Sequence, residues 1–532
     1  MIDALYIGQS GLNASRYAVD STSNNIANEN TDGYVKRVVN TSELSGLESD
    51  IGNGVSFDGV TRSSDVYLYD KLVSQSSLSS YYTQEDSILS NIETMFSETD
   101  TSGFSVTLSS FMDSVESLRS DSTNLIYQNE LSTQGQLLVD GLQSLNSSID
   151  EEISDTKSLL EDQVDSVNNI LKQIVDLNKK IVDSNSSSYD LIDKRDTLEK
   201  ELSNYVDIEV NRESDTYNLK IAGVNVIFNN TNLHEVSIVE DNIAQKDIYN
   251  SSDLSDSNFS DGDTISIVLN DTTTLTLSAS VSASGDNDLK NQIMDAINNN
   301  SNFSDYEAYL DTSNNLVIKS NIAGEEGNFD ISISVAGNEM TKNSNSVEAQ
   351  NNVSTAVYNN KLSLSSGSLK AITQELTSST SNLYTYKDSL DDFAKALVDY
   401  TSSNSSVKLF NGTDVESLSF NQSNVSSLTS DDLENLAQIQ WDEDVTIGSS
   451  KTSFTEFYQD LLVTISSNVE NNSFKLESQD AIVSSLTSTY NNLTKVDSDE
   501  EMINLLQYQA AYEANAKVIT AVDEMLQTLL NM

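Results

Sequence analysis

There is no cysteine in these 532 residues, and no proline. Without cysteine the fold has no disulfide, no thiol nucleophile and no thiolate metal ligand. Without proline no slow prolyl isomerisation enters folding. That suits a chain exported unfolded and folded on arrival, and drift in base composition accounts for it equally well. Histidine occurs once, at His234, and tryptophan once, at Trp441. Structural zinc is thereby excluded. A Ser-His-Asp hydrolase would have to use His234, which stands in a turn-rich β region with no nucleophile-elbow sequence beside it. Neither a phosphate-binding loop nor a dinucleotide fingerprint is present. The densest carboxylate cluster, Asp253, Asp256, Asp261 and Asp263, lacks the ligand order and closing glutamate of a calcium loop. Asp442, Glu443 and Asp444 beside Trp441 read as surface charge. The expectation is no enzyme, no cofactor and no metal.

Basic residues are also scarce: 28 against 83 acidic ones, for a net charge of −55. Such a surface repels nucleic acid and anionic membranes; halophilic or marine adaptation, or simple solubility, is the plain account of it. No apolar run is long enough to span a bilayer. The start, MIDALYIGQSG, places an acid at position 3 and no base before Arg16, so no secretory signal is readable. The expectation is a cytosolic chain, or one exported without a cleaved signal.

What is present is strongest at the two ends. From Asp499 to Met532, Leu505, Tyr512, Ile519 and Leu526 are spaced by sevens, and so are Tyr508, Asn515, Val522 and Leu529. This is an a/d seam on a helix, widened by Ala511, Val518 and Met525. It needs a partner helix. From Ile2 to Asn28, Leu5, Leu12, Val19 and Ile26 also repeat by sevens, with the small residues Ala4, Gly11 and Ala18 on the adjacent row. The turn formers Asn28 to Gly33 end that helix. The two ends are expected to pair in a coiled coil, with Asn515 fixing the register.

Between them, 65–203 reads as three to four long antiparallel helices. One stripe runs Leu160, Val164, Val167, Leu171, Ile174 and Ile181, with a polar break at Asn178. From Val206 the period changes to two, with hairpins around Ala222-Gly223. A second β block has Ile265, Ile267 and Leu269 against Leu275 and Leu277, a helix near 288–298, and Leu316 and Ile318 against Ile331 and Ile333. Residues 335–360 read as a linker. Leu369 to Tyr400 and Ser450 to the end read as helix, the latter broken at 497–501.

The fold class expected is mainly α with inserted β domains. The units are 1–64, an axial helix and extended segment; 65–205, a helical bundle; 206–240, a β domain; 241–360, an inserted β/α domain; 361–404, a returning helix; 405–450, a small excursion; and 451–532, helices completing bundle and coil.

Ser23, Asn24, Asn25, Ile26, Ala27 and Asn28, followed by Thr31, Gly33, Tyr34, Lys36 and Arg37, closely resemble the N-terminal signature of the bacterial flagellar rod, hook and hook-associated axial proteins. Ser10-Gly11-Leu12 fits the same pattern. Ile51-Gly52-Asn53-Gly54-Val55 with Gly59-Val60 resembles the extended segment that follows it. Tyr512, Ala514, Asn515, Val518, Ile519 and Asp523, ahead of Leu529, resemble the C-terminal signature. Leu191 to Asp196, Leu198, Glu201-Leu202 and Val206 to Val210 resemble a segment of the members that join hook to filament; rod and hook proteins lack such a helical block. The β insertion weakly resembles modules of flagellins and hook-associated proteins.

The resemblance implies a structural subunit outside the cell, at the hook–filament junction. It implies partners: the hook protein, a second junction protein (hook-associated protein 3), copies of itself in a helical tube, and a cytoplasmic chaperone over the C-terminal helix. It implies type III export, and terminal helices that are unpaired until assembly. A hook or distal-rod subunit remains an alternative, as does a surface adhesin whose β insertions carry the contacts.

Overall fold

The computed structural model describes residues 2–44, 52–99, 102–184, 188–212, 216–270, 273–280 and 288–530. Ile51 and Met532, named above, lie outside them. Helix α1 (Ile2–Ala27) leads into the antiparallel strands β1 (Arg37–Glu43) and β2 (Val55–Arg62). Four helices then follow, as the periodicity predicts: α2 (Val66–Met95), α3 (Phe104–Ser120), α4 (Leu125–Asp183) and α5 (Tyr189–Ser203). Asp65 and Asn124 cap α2 and α4 by accepting from Leu68 N–H and Ile126 N–H, groups the helix itself leaves unpaired.

Helix α4 has 59 residues, about 88 Å at 1.5 Å per residue. Its length lets one stripe serve two cores. Leu131, Leu138, Leu142 and Ile149 join Phe104 and Phe111 of α3 in the first. Leu160, Val164, Val167, Leu171 and Ile174 join the second, which is closed by β strands. Those strands are β3 (Ile208–Asn211), β4 (Asn218–Ile221), β5 (Val224–Phe228) and β6 (Asn232–Leu233), an antiparallel meander, then β7 (Val236–Glu240). Ala222 and Gly223, both with positive φ, make the β4–β5 turn.

A third core lies in the inserted unit. It comprises β8 (Lys246–Tyr249), β9 (Thr264–Leu269), β10 (Thr273–Ser278), helix α6 (Asp288–Asn298), β11 (Tyr306–Leu310), β12 (Leu316–Ser320), β13 (Ile331–Val335) and β14 (Asn338–Glu339). Here the predicted pairing of Leu316 and Ile318 with Ile331 and Ile333 is wrong. Strand β12 pairs with β11 and β8, whereas β13 pairs with β9. Alternation tells which face of a strand is buried, not which neighbour it takes.

The stretch 335–360 is not a linker. It contributes β14, bridges from Lys342, Val347 and Gln350 back to β8 and its approach, and β15 (Val353–Val357), which pairs with β7 and with β16 (Asn360–Lys361). Its polar side chains hid backbone pairing. The helix expected over Leu369–Tyr400 is two, α7 (Ser368–Glu375) and α8 (Asn382–Asn404). Between them the buried Glu375 carboxylate accepts from Ser381, Asn382 and Leu383 and so terminates one helix and starts the next.

Strands β17 (Phe410–Asn411) and β18 (Ser419–Phe420), helices α9 (Gln422–Val425) and α10 (Ser430–Leu436), and strands β19 (Thr446–Ile447) and β20 (Ser450–Lys451) form the excursion. Phe410, Phe420, Leu433 and Ile447 knit it into the first core. Helices α11 (Phe454–Thr494) and α12 (Ser498–Leu530) complete the chain. Among the described residues no helix is long and apolar enough to cross a membrane.

On α8, Asp391 accepts from Val415 N–H at 2.8 Å. Burial nonetheless pushes its carboxyl up, to about 6. A raised carboxyl favours folding while protonated, so its contribution is full below about pH 4 and is lost as pH rises through 6. Asp391→Asn should therefore raise stability at pH 8, on the order of 1–2 kcal/mol, and leave it unchanged at pH 4. Denaturant titrations at the two pH values read this directly.

Candidate assembly site

Helices α1 and α12 run antiparallel along each other. A Cβ built on Gly8 would sit 3.0 Å from Ile519 Cγ1, one on Gly11 would sit 2.7 Å from Asn515 Oδ1, and Asn25 bonds to Glu501. On α12 the residues of the expected seam divide, and those expected to widen it, Ala511, Val518 and Met525, are exposed. Val522 is buried, and Leu505, Tyr508, Asn515, Ile519 and Leu526 are half-buried; Tyr512 is 38% exposed. The side chain of Leu529 lies outside the described residues.

On α1 the seam is offset from the expected one. Leu5, Leu12, Val19 and Ile26 are only half-buried at its flank. The row that faces α12 is small and polar: Gly8, Gly11, Ser15, Ala18, Thr22 and Asn25. Small residues allow close backbone approach, so the Asn515 amide rests directly on Gly11. Gly11→Leu should push the helices apart and cost on the order of 1–3 kcal/mol of overpacking, read as loss of coil helicity at a lower temperature than the body. One copy of each helix suffices for the seam, so the ends are already paired in a single chain.

At the base of the coil the N-terminal signature folds back. Asn25, 1% exposed, makes four hydrogen bonds. Its Oδ1 accepts from Arg37 N–H (2.9 Å) and the Tyr34 hydroxyl (2.8 Å). Its Nδ2 donates to Arg37 O (2.8 Å) and Glu501 Oε2 (2.9 Å). Every donor and acceptor of the amide is used. Asn28 holds the turn by bonding to Asn24 and accepting from Thr31. Gly33, with φ of 73°, passes so close to α5 that a Cβ would lie 2.3 Å from Thr197 Oγ1. Ser23, Asn24 and Ala27 are exposed and Ile26 is half-buried.

Lys36 reaches Glu500 (3.0 Å) and Glu501 (3.1 Å) on the first turn of α12. Burial works to lower its pKa, but the two carboxylates outweigh it and the net shift is upward. Burial acts in the opposite sense on the Tyr34 hydroxyl and raises it, to about 12. The backbone joins in: Lys36 N–H donates to Thr494 O (2.7 Å) and Ser63 Oγ to Leu493 O (2.9 Å). These carbonyls end α11 and have no partner within the helix.

Arg37 turns the other way, into the body. Its guanidinium meets Asp193 at 2.6 Å and Asp190 at 3.3 Å on α5, beneath the rings of Tyr34 and Tyr189. Arg62 bridges Asp193 (2.7 Å) and Asp196 (2.5 Å). Arg212 extends the chain of charges to Asp196 and to Glu199, which also receives the Tyr217 hydroxyl at 2.9 Å. Burial drives the Glu199 carboxyl up, to about 7, against the pull of Arg212. Arg195 donates to Asn178 Oδ1 at 2.9 Å, which explains the polar break in the α4 stripe.

No local sequence pattern joins Arg37 to the 191–196 segment. A signal was there: the chain has six arginines, and Arg37, Arg62, Arg195 and Arg212 all stand in this cluster. Elsewhere His234 lies between the rings of Phe228 and Tyr358. Asp256 is buried and accepts from Leu289 N–H. Among the described residues no group of three or more side chains is arranged to hold a metal ion.

Three family models match the chain, in order. Residues 5–34 match the flagella basal body rod protein model, residues 89–267 the flagellar hook-associated protein FlgK helical domain, and residues 488–532 the C-terminal model of the flagellar basal body rod FlgEFG proteins. Flagellar hook-associated protein 1 of Escherichia coli K12 is 30% identical over 222 residues, 40% of either chain. Its namesake in Salmonella typhimurium is 31% identical over the same span. That of Bacillus subtilis is 30% identical over 212 residues, 37% of this chain and 42% of the other. The matched segment thus spans about two fifths of these relatives. The solved flagellar hook junction protein FlgK from Burkholderia pseudomallei shares 13% identity, covering 63% of this chain and 43% of that one, with a TM-score of 0.38; a likeness this loose carries no argument here.

Proposed function

We propose that the chain is a structural subunit joining hook to filament, one of the flagellar rod and hook-associated axial proteins whose models it matches in three segments. The observation that carries this is the closure of the two ends. The N-terminal signature residue Asn25 and the Glu501 carboxylate just ahead of the C-terminal signature share one hydrogen bond, and Arg37 locks both to the 191–196 segment of the helical domain. The subunit is thus a coil of the two ends fixed at a set angle to a body of long helices.

In the tube, the α1–α12 coil forms the inner wall and packs head to tail against neighbours, an open arrangement that propagates as a filament. Two features support it. Leu5, Leu12, Val19 and Ile26 remain half-exposed beside the seam, and Ile503, Leu506, Val518 and Met525 on α12 are 46–60% exposed. Such a stripe is costly to leave in water. It suits contacts with the hook protein, the second junction protein and further copies of this chain. It also suits a chaperone that covers α12 before export by the type III route. The helical body forms the next layer and the β units point outward.

Immunogold labelling of purified flagella tests the reading. Label confined to the hook–filament boundary is expected. Label along the whole hook would make the chain a hook subunit, and label over the cell surface would make it an adhesin.

A further inference from the structure

Helices α2 and α11 are antiparallel, and their contact has an unusual middle. Between Ile465 and Thr494 the buried side chains of α11 are Asn472 and Gln479. Between Ser77 and Ile88 α2 buries none. Asn472 Nδ2 donates to Tyr82 O and Gln479 Nε2 to Gln75 O, both at 2.9 Å. Gln479 also reaches Gln75 Oε1 at 3.0 Å. A second row runs alongside: Ser79 donates to Asp480 (2.5 Å) and Ser473 to Asp86 (2.7 Å). In each row the rungs are spaced seven residues apart on both helices.

We propose that this ladder of polar rungs, Asn472 and Gln479 above all, sets and holds the register of α11 on α2, and so positions the terminal coil on the body. This role follows from the packing of α2 on α11 alone, whatever the subunit's place in a flagellum. A seven-residue repeat filled with leucine would be satisfied nearly as well after a slide of seven, whereas a buried amide in such a seam gives up stability for a unique alignment. Here both slides are penalised. One direction brings Asp480 opposite Leu72, which is 2% exposed, and Gln479 opposite Leu68. The other brings Asp480 opposite Asp86, like charge on like. Only the observed register matches serine to aspartate twice.

The consequence reaches the assembly site because α11 and α12 are separated only by Lys495–Asp497. A slide of seven residues, about 10 Å, would carry Thr494 away from Lys36 and open the junction at the base of the coil.

A cysteine-free chain allows the register to be read by disulfide trapping. The pair Ser79→Cys with Asp480→Cys reports the native register. Ser79→Cys with Ser473→Cys reports one slide, and Asp86→Cys with Asp480→Cys the other. With Asn472 and Gln479 in place, only the first pair should close within a subunit. In the Asn472→Leu, Gln479→Leu background a slipped pair should close about tenfold more than before. If that background still closes only the native pair, the ladder does not set the register. Gln479→Leu alone, which leaves one rung, gives a second reading should the double variant fail to fold: a smaller rise in slipped bond supports the proposal, and none overturns it.

Discussion

Arg37→Ala is expected to cost on the order of 3–5 kcal/mol, the usual result of removing one partner from a buried ion pair. The Arg37 side chain is 4% exposed and that of Asp193 7%. Alanine would leave Asp193 with Arg62 as its one bridging cation among the described residues and strip two aromatic rings of the guanidinium they stack on. The backbone of residue 37 would still bond to Asn25. The defect should therefore fall between coil and body rather than within the coil. Amide exchange should rise at 190–196 and in the β1–β2 ribbon first, with α1 and α12 still protected by each other. Arg16→Ala is the control. Arg16 is exposed and, among the described residues, rests on the Tyr17 ring, so its loss should stay within about 0.5 kcal/mol. Equal losses from the two variants would remove the buried cluster from any special role.

Deleting residues 500–532 should leave a soluble, folded body that no longer joins hook ends. None of the three cores includes a residue of α12, so the helical and β units keep their packing. What is lost is the Gly11–Asn515 contact, the Asn25–Glu501 bond and both Lys36 ion pairs. The small-residue row of α1 is left without a partner. Sedimentation should report a monomer, and electron microscopy of cells carrying the truncation should show hooks without filaments. Filament growth from the truncated protein would mean that the coil is dispensable for assembly, and the proposed role of α12 would fall.

The seam on α12 was legible in the sequence because apolar side chains advertise a buried face. On α1 the same rule misled. Leu5, Leu12, Val19 and Ile26 are the louder pattern, but close helix approach selects Gly8, Gly11, Ser15 and Ala18, whose low hydrophobicity makes them faint. Helix positions from 65 to 203 were readable for the reason α12 was. In the inserted unit the β9–β10 hairpin was readable as well, but the partners of β12 and β13 were not: Ile331 and Ile333 fit any sheet with an apolar face, and only the long-range pairing to β9 decides. The charge cluster stayed hidden because its members are spread from Arg37 to Arg212. Scarcity of arginine in so acidic a chain was the one local hint.

The bond between Asn25 and Glu501 closes a separation of 476 residues. In an unfolded chain, closing a loop of that length costs about 5 kcal/mol in entropy alone. Once the body has folded, however, α1 is already anchored through Arg37 and Arg62, and α12 hangs from α11 by three residues. The long loop has then been reduced to a short tether. The coil is then expected to form after α5 and α11 have packed, whichever end emerges first, and its appearance should report that those helices are in place. A subunit in which α5 or α11 is misplaced would misalign its ends, so closure at Asn25 would register the packing of the helices that carry them.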